Sequence, residues 1–441
     1  MPQAFSYGSD SDKNSDIDDK TGGDSASGEK IGTLSSLRIR NFRYLITGTT
    51  LTNAAQWIQQ VTLNWLVYDI TGSGTMLATV NLVRSASAMG MIPIAGILID
   101  KMKRRTLLTL DNSWLFTITA VLGILLLLGY REMTFVFIFS FLAGLVMTVD
   151  GTLRQVLVFD LVPRSHTPNG MALVQTGWSL MRSFGPAMGG FLLLYMGPGG
   201  NFLMQAGAYA LVVITILQIR FPARKSGLVG NSPLENIKVG IRYIRKERVT
   251  RTFMMLGFLL PLLVIPVYTI LPPIYAVEVF GDESGRVLGF LMASVGVGGI
   301  AGGFVVASLG RFERRGLLQM ASLFVLSMAF IGFAFSTSLI ISLLFLALSG
   351  FCEIIFLTTN QTLLQLSIPD ELRGRVTSVV NLNMALNPLG NLLAGIGSDL
   401  LGGPKMITIV MAGLIAATVI IISLCSSTVR DHRLSRAIRS N

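Results

Sequence analysis

Charge is scarce in this 441-residue sequence: Asp, Glu, Lys and Arg supply 13% of it, about half the roughly 25% of a soluble domain. Cysteine is scarcer still. Cys352 and Cys425 both sit in apolar runs, which excludes a disulfide framework and leaves small buried hydrophobes as the plain reading. The two histidines, His166 and His432, fall in a loop and a tail, so no metal centre can be assembled around them. No GxxxxGK[ST] phosphate loop occurs, which argues against ATP as the energy source. The first residues are polar and acidic, without the basic-then-apolar start of a cleavable signal peptide. No polar cluster of catalytic type is present, so no enzyme, no metal and no cofactor is expected.

What the sequence has instead is long apolar runs. Leu77 to Ile99, Leu107 to Leu128 and Ile407 to Leu424 are examples, each near the ~20 residues that cross a bilayer as a helix. Hydrophobic residues make up 51% of the chain and the mean hydropathy is +0.63. Continuous runs exclude a β-barrel, whose strands alternate. A spanning backbone must satisfy its own hydrogen bonds, so the spans are helices. The expected fold is all-α and integral to a membrane, with about twelve transmembrane helices.

The basic residues fall in alternate connections. One set holds Arg38, Arg40 and Arg43, then Lys101, Lys103, Arg104 and Arg105, then Arg154 and Arg164. It continues with the segment from Arg220 to Arg251, with Arg311, Arg314, Arg315, Arg373 and Arg375, and with the C-terminal tail. The intervening connections hold only Arg131, Arg286 and Lys405. The positive-inside rule makes the first set cytoplasmic and puts both termini inside a cell membrane. Nucleic acid is a poor partner for short basic clusters beside helix ends; the lipid bilayer is the expected one.

Five segments follow. Residues 1–37 form an acidic, Ser- and Gly-rich tail expected to be disordered. Residues 38–220 and 251–425 each hold about six spans. Residues 221–250 join them and include a basic amphipathic stretch, IKVGIRYIRKERV, read as an interfacial helix. Residues 426–441 form a basic tail. The two halves repeat: aligned on Pro163 and Pro369, Gln155 falls on Gln361, and Arg104-Arg105 pairs with Arg314-Arg315. Repeats of this kind underlie transporters in which two bundles rock about a central site.

The loop GILIDKMKRR resembles the signature that joins spans two and three in the major facilitator superfamily, through Gly96, Asp100, Lys101, Arg104 and Arg105. Lys103 stands where that family usually has Gly, which leaves a tight turn there open to question. A degenerate second copy keeps Arg311, Arg314 and Arg315. SFGPAMGG, with Gly185, Pro186, Gly189 and Gly190, is similar to the span-five signature of exporters, and IPDELRGRVTS to a loop of the drug and siderophore exporter branch. The resemblance covers residues 38 to 425. It implies two pseudo-symmetric six-helix bundles and transport by alternating access.

Asp100 can pair with Arg104 or with the N–H groups of a nearby helix start. Either a static loop cap or a state-dependent latch follows, and the resemblance implies the latch. Pro186 permits a kink. Gly185, Gly189 and Gly190, with Gly298 above Gly302 in span eight, predict tight packing of spans five and eight. Charges inside a span cost at least ~2.5–3.5 kcal/mol unless paired or hydrated. Arg84, Asp111, Arg182 and Glu353 are therefore candidate substrate or coupling residues, Asp111 with a structural role at the basic rim as its rival. Glu353 lies among Phe351, Cys352, Ile354 and Ile355, where desolvation favours a protonated carboxyl. It reads as a proton-coupling site or as the ionised partner of Arg84 or Arg182. Asn53, Trp57 and Gln60 in span one, and Asn387 in span eleven, belong to polar stripes that turn from lipid toward protein or a wet cavity.

These residues predict a secondary transporter, a proton-coupled exporter of a small amphiphilic molecule, acting as a monomer. The partners are a small-molecule substrate and protons or another coupling ion. A proton-coupled importer and a non-transporting membrane sensor are the alternatives.

Overall fold

A computed structural model describes residues 35–163, 166–221, 241–282, 284–308, 314–369 and 383–425, with residues 372, 376, 379 and 380. The acidic and basic tails, most of the central connection, Arg311, Arg373 and Arg375 lie outside the described residues, as does the side chain of Asp100.

The described chain is helical and contains no strand. A short 3-10 turn, Ser35–Arg38, leads into α1 (Arg40–Thr71), α2 (Gly74–Lys101), α3 (Arg104–Leu127) and α4 (Met133–Leu161). The helix Thr167–Gln218 breaks at Gly197, which has φ 64° and ψ 178° ahead of Pro198. That break makes two spans of it, α5 (167–196) and α6 (198–218). The second half holds α7 (Val249–Glu278), α8 (Arg286–Ser308), α9 (Arg315–Phe335), α10 (Leu339–Leu366), α11 (Asn387–Leu400) and α12 (Pro404–Cys425).

Local chemistry sets the ends. Gly72 takes the left-handed conformation at the end of α1, and its N–H closes on the Tyr68 carbonyl at 2.8 Å. Ser73 then caps α2, its hydroxyl accepting from the Met76 N–H at 3.3 Å. The α2–α3 link needs no glycine. Met102 and Lys103 are both extended with negative φ (−92° and −65°), so Lys103 fits where the related signature has Gly.

Four prolines break the regularity of α7. Pro261 and Pro266 bound a π-helical turn, Leu260–Val264, because Pro266 has no N–H to return to the preceding turn. Pro272 and Pro273 leave the carbonyls of Tyr68's neighbour helix α7 without helical donors at residues 268 and 269.

Large apolar side chains cover the outer surface. Ile92, Ile97, Phe141, Phe304, Ile340, Leu344 and Leu424 are all exposed, far more apolar surface than a water-soluble monomer presents. Lipid is the solvent that suits it.

The bundles meet at the midplane and on the side away from the basic loops. Gly190 packs against the backbone of Gly289, and Gly296 against Ser183, joining α5 to α8. Gly74 and Gly395 join α2 to α11. The expected close contact of spans five and eight is therefore present through Gly190, but on the span-eight side it uses Gly289 and Gly296 rather than Gly298 and Gly302. Gly298 and Gly302 face the backbones of Ala347 and Phe351 in α10, while Gly185 and Gly189 face Trp57 and Ile58 in α1. Toward the basic side the covering ends. The side-chain hydrogen bonds between the halves cluster at the midplane and the far face, from Arg182–Glu353 and Asn64–Thr269 to Tyr68–Glu278 and Ser73–Asp399. The molecule is thus open toward its basic face and closed at the far face.

Candidate functional site

The open side leads to the middle of the molecule. Thr358, Gln361, Thr362 and Gln365 of α10 line a cavity of about 420 Å³. Gln175 and Ser179 of α5 are exposed on the same half, as their helical spacing with Arg182 requires. Farther in, a narrow pocket between the bundles is lined by Trp57, Gln60, Asn64, Pro186, Tyr268 and Met292. The sequence-selected Trp57 and Gln60 thus meet here; Asn53 is half-buried on the same helix, and Asn387 begins α11.

Arg182 and Glu353 form an ion pair between α5 and α10. They sit mid-helix, and they belong to different halves of the chain. The Glu353 residue is 2% exposed. The Arg182 guanidinium also stands 5.9 Å from the Trp178 ring centre, and Trp178 meets Trp57 edge-on at 6.2 Å. A chain of contacts therefore runs from the ion pair to the pocket wall.

Arg84 has a different setting. Its Nη1 donates to Gln60 Oε1 at 3.0 Å and its Nη2 to Gln59 Oε1 at 3.2 Å. Nη2 also lies 2.8 Å from the Met147 sulfur. Gln60 in turn donates to Asn81 at 2.9 Å and to Asn64 at 3.2 Å. Asn64 donates to the Thr269 carbonyl at 2.6 Å. That carbonyl is available because residue 273, which would supply its helical N–H, is Pro.

Two carboxylates close the far face. Asp399, at the end of α11, accepts from Ser73 Oγ at 2.7 Å, the Gly74 N–H at 2.8 Å and the Thr75 N–H at 2.9 Å. It caps a helix of the other bundle with a charge that suits the positive end of that helix. Glu278 accepts from the Tyr68 hydroxyl at 2.6 Å.

Sequence reading missed a buried cluster inside the first bundle. Arg154, counted among loop charges, lies within α4 and is 5% exposed. Its Nε donates to Asp150 at 2.8 Å, and its terminal nitrogens reach Thr49, Thr52 and Asn112. Asp111 is buried in the same bundle, not at an exposed basic rim. The signal available was the i,i+4 spacing of Asp150 and Arg154.

In the loop signature, Arg104 pairs with Asp160 at the end of α4, within one bundle. Arg105 donates to the Leu217 carbonyl at 2.8 Å, one of the unsatisfied carbonyls at the end of α6. Gly96 and Lys101 are exposed, Arg314 precedes α9, and Arg315 opens it. Among the described residues no group of three or more His, Cys, Asp and Glu is placed to hold a metal.

Residues 31–436 match the transmembrane secretion effector family of major facilitator transporters. The chain belongs to that family. It is 26% identical over 382 residues to the staphyloferrin A transporter of Staphylococcus aureus, covering 86% of this chain and 94% of that one. It is 25% identical to the multidrug efflux pump Tap of Mycolicibacterium fortuitum, over 79% and 87% of the two chains. It is 24% identical to the enterobactin exporter EntS of Escherichia coli O1:K1, over 74% and 75%. Among solved structures it resembles a bacterial homologue of the human lysosomal transporter Spinster, inward-facing and unoccupied. There the TM-score is 0.66 at 15% identity, over 91% of this chain and 98% of that one. The nucleoside transporter NupG gives 0.65 at 12% identity, over 88% and 99%. The fold is the major facilitator fold, and the family member is a membrane transporter, not an enzyme.

Proposed function

We propose that this transporter is a proton-coupled exporter of a small amphiphilic molecule, and that one chain is the transport unit. Its basic face and both termini lie in the cytoplasm of a bacterial cell, with the chain in the plasma membrane. The distribution of Lys and Arg supports that orientation. On it, the open cavity loads from the cytoplasm.

The observation that carries the reading is the ion pair of Arg182 with Glu353. It ties the two bundles in the middle of the bilayer, where a lone charge is costly. A proton entering from outside neutralises Glu353 and releases Arg182. Loss of that proton to the cytoplasm restores the pair in the form open toward the basic face. One protonation event is thereby coupled to the separation of the bundles, which is what proton exchange for cargo requires. The relatives named as a siderophore transporter, a drug efflux pump and a siderophore exporter support an outward direction and an amphiphilic cargo.

Flux into inverted membrane vesicles, acid inside, tests this with a panel of dyes and siderophores. The wild-type chain is expected to concentrate its cargo only while the pH gradient stands. Glu353→Gln is expected to abolish that dependence with insertion intact. Gradient-driven accumulation unchanged in Glu353→Gln would remove Glu353 as the proton site.

A further inference from the structure

Of the two cations inside the membrane near the pocket, Arg182 has a carboxylate and Arg84 has none. Among the described residues no carboxylate lies within ion-pair distance of Arg84. Its partners are two neutral amide oxygens and a thioether. The buried hydroxyl of Tyr209, in α6, has no hydrogen-bond partner. Arg84 is 7% exposed and lies ten residues into α2, about 15 Å from its start.

A buried guanidinium held only by neutral groups keeps most of its charge uncompensated, and a low-dielectric surrounding makes a missing anion costly. It also presents a planar fork suited to two carboxylate oxygens. Gln60 links this fork to the pocket: its Oε1 accepts a hydrogen bond from Arg84 Nη1, and its side chain lines the pocket wall. Displacing that one amide oxygen brings the guanidinium into the pocket. The remaining wall is mixed: Asn64, Tyr268 and Thr269 stand beside Trp57, Pro186, Leu288 and Met292.

The geometry points to Arg84 as the anchor for a carboxylate on the cargo, the pocket's free volume of about 20 Å³ admitting that group and not the cargo's body. This rests on the transport reading above and narrows its substrate class to organic anions. Arg182 is excluded as the anchor in the inward-open form, since Glu353 already occupies it. The anchored carboxylate replaces Gln60 and so pulls on Asn64 and Asn81, the amides that lead to Thr269 in the other bundle.

The test uses the full chain in nanodiscs and three matched probes: azobenzene-4-carboxylate, its neutral carboxamide and its trimethylammonium analogue. Binding is read by quenching of tryptophan fluorescence. The carboxylate is expected to bind about tenfold or more tighter than the other two, the scale of one charge-assisted hydrogen bond. Arg84→Gln is expected to erase that preference. Should Arg84→Gln fail to fold, Gln60→Glu serves: a near-isosteric carboxylate placed beside Arg84 neutralises it in place and is expected to evict the carboxylate probe while sparing the carboxamide. Arg84→Lys is expected to keep the order of the three probes. Equal affinities in the wild type, or an undiminished carboxylate preference in Gln60→Glu, would overturn the anchor. In the inverted vesicles described above, proton-driven flux of the carboxamide without carboxylate preference overturns the anchor and leaves transport standing. Carboxylate preference without flux of any probe does the reverse.

Discussion

The most deeply buried ion pair among the described residues is Asp150–Arg154, one turn apart on α4. Asp150 is 1% exposed, so removing the guanidinium leaves a carboxylate with Asn112 as its remaining side-chain donor. Breaking a buried pair from one side costs about 3–5 kcal/mol. Arg154→Met is therefore expected to lower the thermal unfolding midpoint of the purified protein sharply, and Asp150→Asn with Arg154→Gln to recover most of it. Equal melting of the wild type and Arg154→Met would refute the account. The pair was hidden in the sequence because Arg154 lies toward the basic end of its span and groups with the loop residue Arg164. Arg182 and Glu353 show the opposite case. Each was visible as a charge in an apolar run, and pairing was one of two readings. Distance along the chain, 171 residues, left the partner open until the fold brought the two helices together.

At the scale of the helix, glycine spacing told which faces pack and not what they pack against. A Cβ on Gly298 would stand 1.8 Å from the Ala347 carbonyl, while one on Gly303 would meet nothing within 4 Å. Gly298→Ala is expected to weaken the α8–α10 contact by about 1–3 kcal/mol through overpacking. Gly303→Ala is expected to be neutral or slightly stabilising, since Ala favours a helix. Thermal unfolding of the two variants side by side checks this, and equal losses would be inconsistent with the packing described. The twelve spans were legible from apolar length alone for most of the chain. Spans one and eleven give the weakest signal: α1 is rich in Thr, Asn and Gln, and α11 is only fourteen residues long, with Asn and Gly residues that dilute its apolar character. The prolines of α7 were visible as residues, but their effect on the Thr269 carbonyl depends on what stands across the bundle interface, which no local pattern encodes.

At the scale of the whole molecule, closure is one-sided. The two bundles are joined on the far face by Asp399 over the start of α2 and by Glu278 with Tyr68. Removing the charge at residue 399 leaves a cap with weaker acceptors. Asp399→Asn is expected to shift the population toward the outward-open form, seen as longer spin-label distances between α2 and α11 at that end. The shift is expected to be severalfold, given about 0.3–2 kcal/mol for a charge at a helix terminus. Unchanged distances would show that Asp399 does not hold the gate. Two-fold pseudo-symmetry was legible from the matching basic loops and prolines, whereas the acidic far-face contacts have no counterpart motif to betray them.

One small bond sets the character of the cycle. The oxygen at Thr269 has no mate within its own helix, so its grip on Asn64 competes with nothing. When the lobes part, incoming water can satisfy the same oxygen and the same amide at nearly equal enthalpy. Making or breaking this contact then shifts the balance by only the modest net worth of one hydrogen bond, about 1 kcal/mol. A door latched by solvent-replaceable contacts can swing both ways on thermal energy, leaving the decision to the proton and the passenger.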